Sequence, residues 1–339
     1  MINATTGRAR AVASRKTSCG FVRVLAALSA AACLGVALLW QIGATRAAGS
    51  PGGLTPHAAP AAPLATDARG KIAFSRRRPA GSDIYVMNPD DTVATRLTAA
   101  GGLNGEPAWS PDGSKIAFTS SRDGNFEIYV MNADGSGQTR LTRTGSSETS
   151  PAWSPDGARI AFVGFVEGRG FQIHVMNADG GNRQSLSGDR GGEREPAWSP
   201  DGTRIAFSKD GDVHVMNADG GGVVRLAAGD APAWSPDGAR IAFVSPARSR
   251  VGTPTIRVID ANGTGERIVA VPPNHPTTLS WSPDGTEIAY DAIGYALFRI
   301  EVDGCRALRQ LAGTSELDAQ PAWQSPSSLP APPAPAPTP

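Results

Sequence analysis

Cysteine, histidine, aromatic residues and net charge are all scarce in this 339-residue chain. It has three cysteines, four histidines, 6% aromatics and a formal charge of +1. Cys19 and Cys33 fall in an N-terminal targeting segment and Cys305 stands alone in the turn Asp303-Gly304-Cys305-Arg306, in place of the usual serine. No disulfide can therefore form within the remainder of the chain. Near-neutral charge argues against nucleic acid as the main partner, because phosphate binding needs clustered Lys and Arg. The histidines do not cluster. His57 lies in a Pro/Ala-rich stretch, and His174 and His214 stand where equivalent segments carry Tyr85 and Tyr129, which reads as packing. A 3.6-residue period is missing, so helix is not expected outside the N-terminal region. There is no Gly-x-Ser-x-Gly elbow and no trailing hydrolase domain. Asn132-Ala133-Asp134-Gly135-Ser136-Gly137 lacks the first Asp and the distal Glu of a calcium loop, and a hairpin turn explains it.

Only one long apolar run is present. Residues 1–23 are basic, with Arg8, Arg10, Arg15, Lys16 and Arg23 and no acid; Val24–Ala44 is then almost uncharged. That length suits a bilayer-crossing helix of about 20 residues, and the basic flank would stay cytoplasmic. An uncleaved anchor is favoured over a signal peptide cut near Thr45-Arg46-Ala47, because the run exceeds the roughly 7–15 residues of a signal core. Cys33 follows Ala30-Ala31-Ala32, but the run continues to Trp40, which disfavours lipidation. Residues 45–69 read as a flexible linker and 325–339 as a Pro/Ala-rich disordered tail.

Between these, residues 70–324 repeat. Pro107–Thr142 is one four-stranded antiparallel unit: a short strand to Ser110, the turn Ser110-Pro111-Asp112-Gly113, a half-buried strand Lys115–Thr119, the break Arg122-Asp123-Gly124-Asn125, a strand Glu127–Met131, the turn Asn132-Ala133-Asp134-Gly135 and a last strand Thr139–Thr142. Pro pre-sets φ in the first turn, Asp bonds its own backbone, and Gly113 accepts positive φ. Trp-Ser-Pro-Asp-Gly recurs at Trp109, Trp153, Trp198, Trp234 and Trp281, and Trp323 stands in Pro-Ala-Trp without the turn; the intervals are 44, 45, 36, 47 and 42 residues. This brackets the roughly 40–45 residues of a propeller blade. The ends complement each other. Lys71–Thr98 supplies three strands with no Pro-Ala-Trp ahead, and Pro321–Trp323 supplies a first strand with nothing after it. The expectation is an all-β, six-bladed β-propeller closed by pairing these segments, which hides sheet edges from water.

The repeated Trp-Ser-Pro-Asp-Gly, Ile-Ala-Phe and Ile-Tyr-Val-Met-Asn-Ala-Asp-Gly resemble the WD-repeat-like propeller units of the TolB type, over about Gly70 to Trp323. The resemblance implies a periplasmic propeller that binds cell-envelope proteins. The α/β domain that precedes the TolB propeller is missing from this chain.

In such a ring the two Asp-Gly turns share one face, constant along the chain. The loops joining strand two to three, and those joining blade to blade, share the other and vary: residues 75–82, 121–125, 163–170, 209–211, 245–254 and 291–295. Repeats that vary one face usually present it to a partner. The two-to-three loops carry Arg77, Arg122, Arg169, Lys209 and Arg248, among other cations, and the residues before each Pro-Ala-Trp carry Glu106, Glu148, Glu195, Asp230 and Asp318. An acidic channel mouth inside a basic outer ring is expected, suited to a cationic peptide segment or a metal ion; a solvated surface of mixed charge is the plainer reading. The function expected is non-catalytic binding of an envelope or extracellular protein by a monomeric propeller, with no cofactor. The alternative is a channel-mouth metal enzyme of lyase or lactonase type using Glu106, Glu195, Asp230 and His275.

Overall fold

The computed structural model describes residues 70–90, 93–99, 101–186, 188, 191–246, 253–272, 275–292, 296–303, 308–311 and 318–325. Contacts divide the chain into Met1–Leu64 and Ala65–Pro339, and every described residue belongs to the second unit. The segments expected as anchor and linker, and the tail beyond Ser325, therefore lie outside the described residues, as do Arg248 and Cys305.

The described residues are strands and turns, without helix. The strands are β1 Ile72–Arg78, β2 Gly81–Met87, β3 Thr95–Arg96, β4 Gly102–Trp109, β5 Lys115–Ser120, β6 Glu127–Asn132, β7 Thr139–Arg140, β8 Glu148–Trp153, β9 Arg159–Val166, β10 Gly170–Asn177, β11 Gln184–Ser185 and β12 Glu193–Trp198. They continue as β13 Arg204–Lys209, β14 Asp212–Asn217, β15 Val224–Ala228, β16 Asp230–Trp234, β17 Arg240–Ser245, β18 Thr255–Asp260, β19 Arg267–Ala270, β20 Leu279–Trp281, β21 Glu287–Asp291, β22 Leu297–Glu301, β23 Arg309–Gln310 and β24 Asp318–Trp323. β8–β11, β12–β15, β16–β19 and β20–β23 each form a four-stranded sheet. The remaining eight strands form one larger sheet, in which β24-β1-β2-β3 and β4–β7 are joined by a two-residue parallel contact between β2 and β4. β24 pairs antiparallel with β1, placing Ile72 opposite Trp323 and Ala73 opposite Ala322.

The second strand of each repeat is buried on both faces, so Lys115–Thr119, expected to be half-buried, is covered on both sides beyond Lys115. Ile-Ala-Phe of the second strand is fully buried, with Ile72, Phe74, Ile116, Phe118, Ile160 and Phe162 all at 0% exposure. Among the described residues the core is distributed in six clusters between neighbouring four-strand units rather than gathered at one centre. Trp109 packs with Ile84 and Val86 of the preceding unit, Trp198 with Ile173 and Val175, and Trp323 with Ala289 and Leu297. Three of these junctions add a cation over the indole: Arg159 over Trp198 and Arg204 over Trp234, both at 4.7 Å, and Arg240 over Trp281 at 5.2 Å.

One backbone feature recurs. The residue three before the tryptophan has positive φ, between 51° and 56°, at Glu106, Ser150, Glu195, Ala231 and Gln320. Each precedes a proline, and each sits at a β-bulge where the inner strand carries one residue more than its partner. A left-handed non-glycine residue costs about 1–3 kcal/mol, so something must hold it there.

Candidate functional site

Residues of β4, β8, β12, β16, β20 and β24 line one cavity of about 1240 Å3. Glu106 and Glu195 line it, whereas Glu148, Asp230 and Asp318 do not. The five acids expected at one mouth therefore do not form a ring. Glu106 and Glu195 stand three residues before their tryptophans, on the bulge. Glu148 and Asp318 stand five before, fully buried. A regular strand would put those two positions on one face; the extra bulge residue breaks the alternation.

The acids on the bulge join neighbouring sheets. Glu106 Oε2 accepts the Ser150 backbone N–H at 2.7 Å and the Thr119 hydroxyl at 2.7 Å. Glu195 Oε2 accepts the Ala231 N–H at 2.7 Å and the Ser208 hydroxyl at 2.7 Å. Gln320 Oε1 does the same for the Glu106 N–H at 2.8 Å and the Ser75 hydroxyl at 2.9 Å. The accepted N–H is in each case that of the next sheet's positive-φ residue, so the clasp is what steadies the strained backbone. In β20–β21 the roles reverse: Asp291 accepts the N–H groups of Thr277 at 2.9 Å and Thr278 at 2.8 Å, and that of Gln320 at 3.4 Å. Where the bulge residue is Ser150 or Ala231, the residue after the second-strand Phe is Val163 or Val244 instead of a hydroxyl. Burial raises the Glu195 carboxyl above its ordinary range, against the Ser208 and Ala231 bonds that lower it.

This assignment predicts the response to substitution. Glu106→Ala is expected to lose about 1–3 kcal/mol, the cost of leaving buried donors unsatisfied. Glu106→Gln should stay within about 0.5 kcal/mol, because an amide oxygen already serves as the acceptor at Gln320. Chemical denaturation of the two variants checks this; equal losses would show that the charge, not the acceptor, matters.

The acids five before the tryptophan serve a second repeated device. Arg76 lies over the rings of Phe74 and Tyr85 and donates to Asp318 from Nε at 2.6 Å and from Nη2 at 2.8 Å. Arg122 lies over Phe118 and Tyr129 and donates to Asn104 at 3.0 Å. Arg183 lies over Phe162 and reaches Glu148 at 3.1 Å, and Lys209 reaches Glu193 at 3.0 Å. Gly164 makes room for the third of these: a Cβ there would meet Arg183 Nη2 at 2.8 Å. Glu148 is also buried beside Glu127, and burial pushes its carboxyl well up. Of the expected basic ring, Arg122 and Lys209 are thus engaged internally, while Arg77 and Arg169 are exposed.

His174 and His214 stack on Phe162 and Phe207, with centroids 5.5 Å apart in both pairs. His174 is buried and neither ring nitrogen has a hydrogen-bond partner. Burial, aided by Arg183, pushes it down to about 4 from 6.5. A depressed histidine contributes stability fully above the unfolded value and loses it as pH falls from about 6.5 towards 4. His174→Phe should therefore stabilise by about 1 kcal/mol at neutral pH, by removing two orphaned polar atoms, and by more at pH 5. Glu148, raised, works the opposite way above its ordinary range, so the effect is read as the difference between parent and variant melts at each pH. A constant difference would contradict the assignment.

What the sequence reading missed is aromatic. The segment expected as the loop 163–170 is the extension of a long hairpin, β9 to Val166 and β10 from Gly170. It carries Phe165, 42% exposed, against Phe171, 38% exposed, edge to face at 5.4 Å. Phe171 and the exposed Arg194 both line the cavity. Two phenylalanines flanking the tip of this variable segment were the available signal. Among the described residues no three of His, Cys, Asp and Glu are placed to hold a metal, so Glu106, Glu195, Asp230 and His275 are not assembled. No helix among the described residues is long and apolar enough to cross a membrane.

The model of the TolB beta propeller domain matches residues 57–163 and 134–329. The chain belongs to the TolB beta-propeller family. Among solved structures, TolB from Acinetobacter baumannii superimposes with a TM-score of 0.67 at 24% identity, over 76% of this chain and 67% of that one. A putative TolB from Agrobacterium tumefaciens gives 0.58 at 21% identity, over 73% and 91%. An oligogalacturonate lyase in complex with manganese gives 0.52 at 15% identity, over 72% and 74%. At these identities the likeness is one of fold. No curated protein matches the sequence.

Proposed function

We propose that residues 70–324 are a six-bladed TolB-type ring, closed by β24 on β1, that works without catalysis as a binding module for a protein of the cell envelope. The segment Val24–Ala44 would hold it at the membrane with the ring outside the cytoplasm. The observation that carries this reading is the division of labour around the cavity. The repeated acids are consumed in clasps that hold the sheets together, whereas the exposed aromatic and cationic groups gather on segments that differ between repeats. A scaffold that spends its repeats on structure and its variable loops on display is built to bind. The two TolB neighbours support an envelope role by family. The metal-enzyme alternative has a manganese-bound neighbour, but among the described residues no three of the groups it would use come together to hold a metal.

Photocrosslinking in intact cells tests the reading. A benzoylphenylalanine at Arg169 should capture a discrete envelope protein, while one at Asp156, in a constant turn, should not. No adduct at 169, or the same adduct from both positions, would remove the case for a partner on the variable loops.

A further inference from the structure

The chemistry of the partner can be argued from the Phe165/Phe171 pair, resting on the binding-module reading above. Three segments frame it. The Phe165 N–H donates to Ser147 O at 3.2 Å, tying the hairpin to the connection that leads into β8. On the other side the Gly191 N–H donates to Arg169 O at 2.8 Å and the Gly192 N–H to Phe171 O at 2.7 Å. That seam is tight: a Cβ on Gly191 would fall 2.2 Å from Arg169 O. The hairpin is thus pinned on both flanks, and its aromatic pair is held ready rather than ordered on binding.

Two phenylalanines about 40% exposed, edge to face and beside a cavity mouth, leave apolar ring surface to solvent. Exposed aromatics of this kind are the usual anchors of protein recognition. The acids expected at the mouth are occupied, which leaves the charge around the pair to the cations of the loops. Glu106 accepts three hydrogen bonds from neighbouring residues and Glu195 is clasped and raised. The exposed cations beside the pair are Arg169 at the hairpin tip and Arg194, which shares the cavity wall with Phe171. Exposed acids nearby are Glu167 on the tip and Asp210 beyond Gly192. The two cations that bracket Phe171, one on its own hairpin and one on the next inner strand, favour a negatively charged ligand.

We infer that the Phe165/Phe171 hairpin and Arg194 form the docking site for an acidic, extended segment of a partner protein, whose apolar side chain packs on the aromatic pair and whose carboxylates face Arg169 and Arg194. The peptide would enter at the cavity mouth between β8 and β12.

A random linear peptide library displayed on phage, panned against the full chain, supplies the probe. Enriched clones should carry an aromatic or branched apolar residue beside Asp or Glu. Phe165→Ser with Phe171→Ser should weaken a selected peptide at least about tenfold, the loss of one anchor contact, with an unchanged melt. Arg169→Glu with Arg194→Glu should reverse the preference to basic peptides. Enriched clones that are basic, or that bind both double variants as they bind the parent, overturn this site while leaving a binding role elsewhere on the loops. Failure to enrich any clone counts against the site and the binding-module reading together.

Discussion

A chain that stops at Leu317 is expected to lose its cooperative melt. Removing β24 takes away Trp323, and truncating a buried tryptophan alone costs about 3–5 kcal/mol. It also bares the edge of β1, whose Ile72 and Phe74 are fully buried, and strips the acceptor from the Glu106 N–H that Gln320 supplies. Arg76 would be left over its aromatic rings without Asp318. Domains of this size hold only about 5–15 kcal/mol in total, so these losses together are comparable to all of it. Thermal unfolding followed by circular dichroism reads the result. The same melt in the shortened and full chains would mean that β24 is ornamental.

Asp318→Ala carries the next largest effect. Its carboxylate is wholly buried and takes both N–H groups of one edge of the Arg76 guanidinium. Removing one partner of a buried pair costs about 3–5 kcal/mol, because the other loses its counter-charge. Arg76 keeps 24% of its side chain in contact with solvent, which places the expected loss towards the lower end. The pair Arg225–Asp212 is the internal control. It has comparable geometry, 2.7 Å, but its side chains are 54% and 28% exposed, and breaking it should cost less than about 1 kcal/mol. Urea unfolding of D318A and D212A, with the double variant R76M/D318A, separates the two cases. A D318A no weaker than D212A would show that burial adds nothing to the Asp318 pair. R76M/D318A should recover part of the D318A loss, since it removes the guanidinium together with its counter-charge.

The strands were legible because most sheets are written with the same words: Trp-Ser-Pro-Asp-Gly before the second strand, Ile-Ala-Phe within it, and an Asp-Gly turn after the third. Their ends were less so. The fourth strand, expected over Thr139–Thr142, stops at Arg140, and the first, expected from Pro107, begins at Gly102. The fate of the acids could not be read from position alone. Glu106 and Glu148 look alike in the sequence, each shortly before Pro-Ala-Trp, yet a bulge that no propensity announces separates their environments. The clue was a covariation within the chain. Glu106 travels with Thr119, Glu195 with Ser208 and Gln320 with Ser75, whereas Ser150 and Ala231 travel with Val163 and Val244. It is hard to see because the third member of each clasp is a backbone N–H in the next repeat. The stacked arginines were hidden for a related reason. Arg76, Arg122 and Arg183 come from three different places in the repeat, yet all lie over the second-strand Phe.

A strand near one end of the domain, β24, pairs with β1 near the other. Ser75 and Ala319 face each other in that pairing, and the Ser75 hydroxyl reaches the Ala319 carbonyl at 3.2 Å. In a background with Cys19, Cys33 and Cys305 replaced by serine, Ser75→Cys with Ala319→Cys should oxidise to an intramolecular disulfide, since opposed strand positions meet the Cα spacing a disulfide needs. The oxidised protein should lose two hydrogens by mass and melt higher than its reduced form. Two thiols that stay free under oxidant, or that couple only between molecules, would contradict the pairing and the ring built on it.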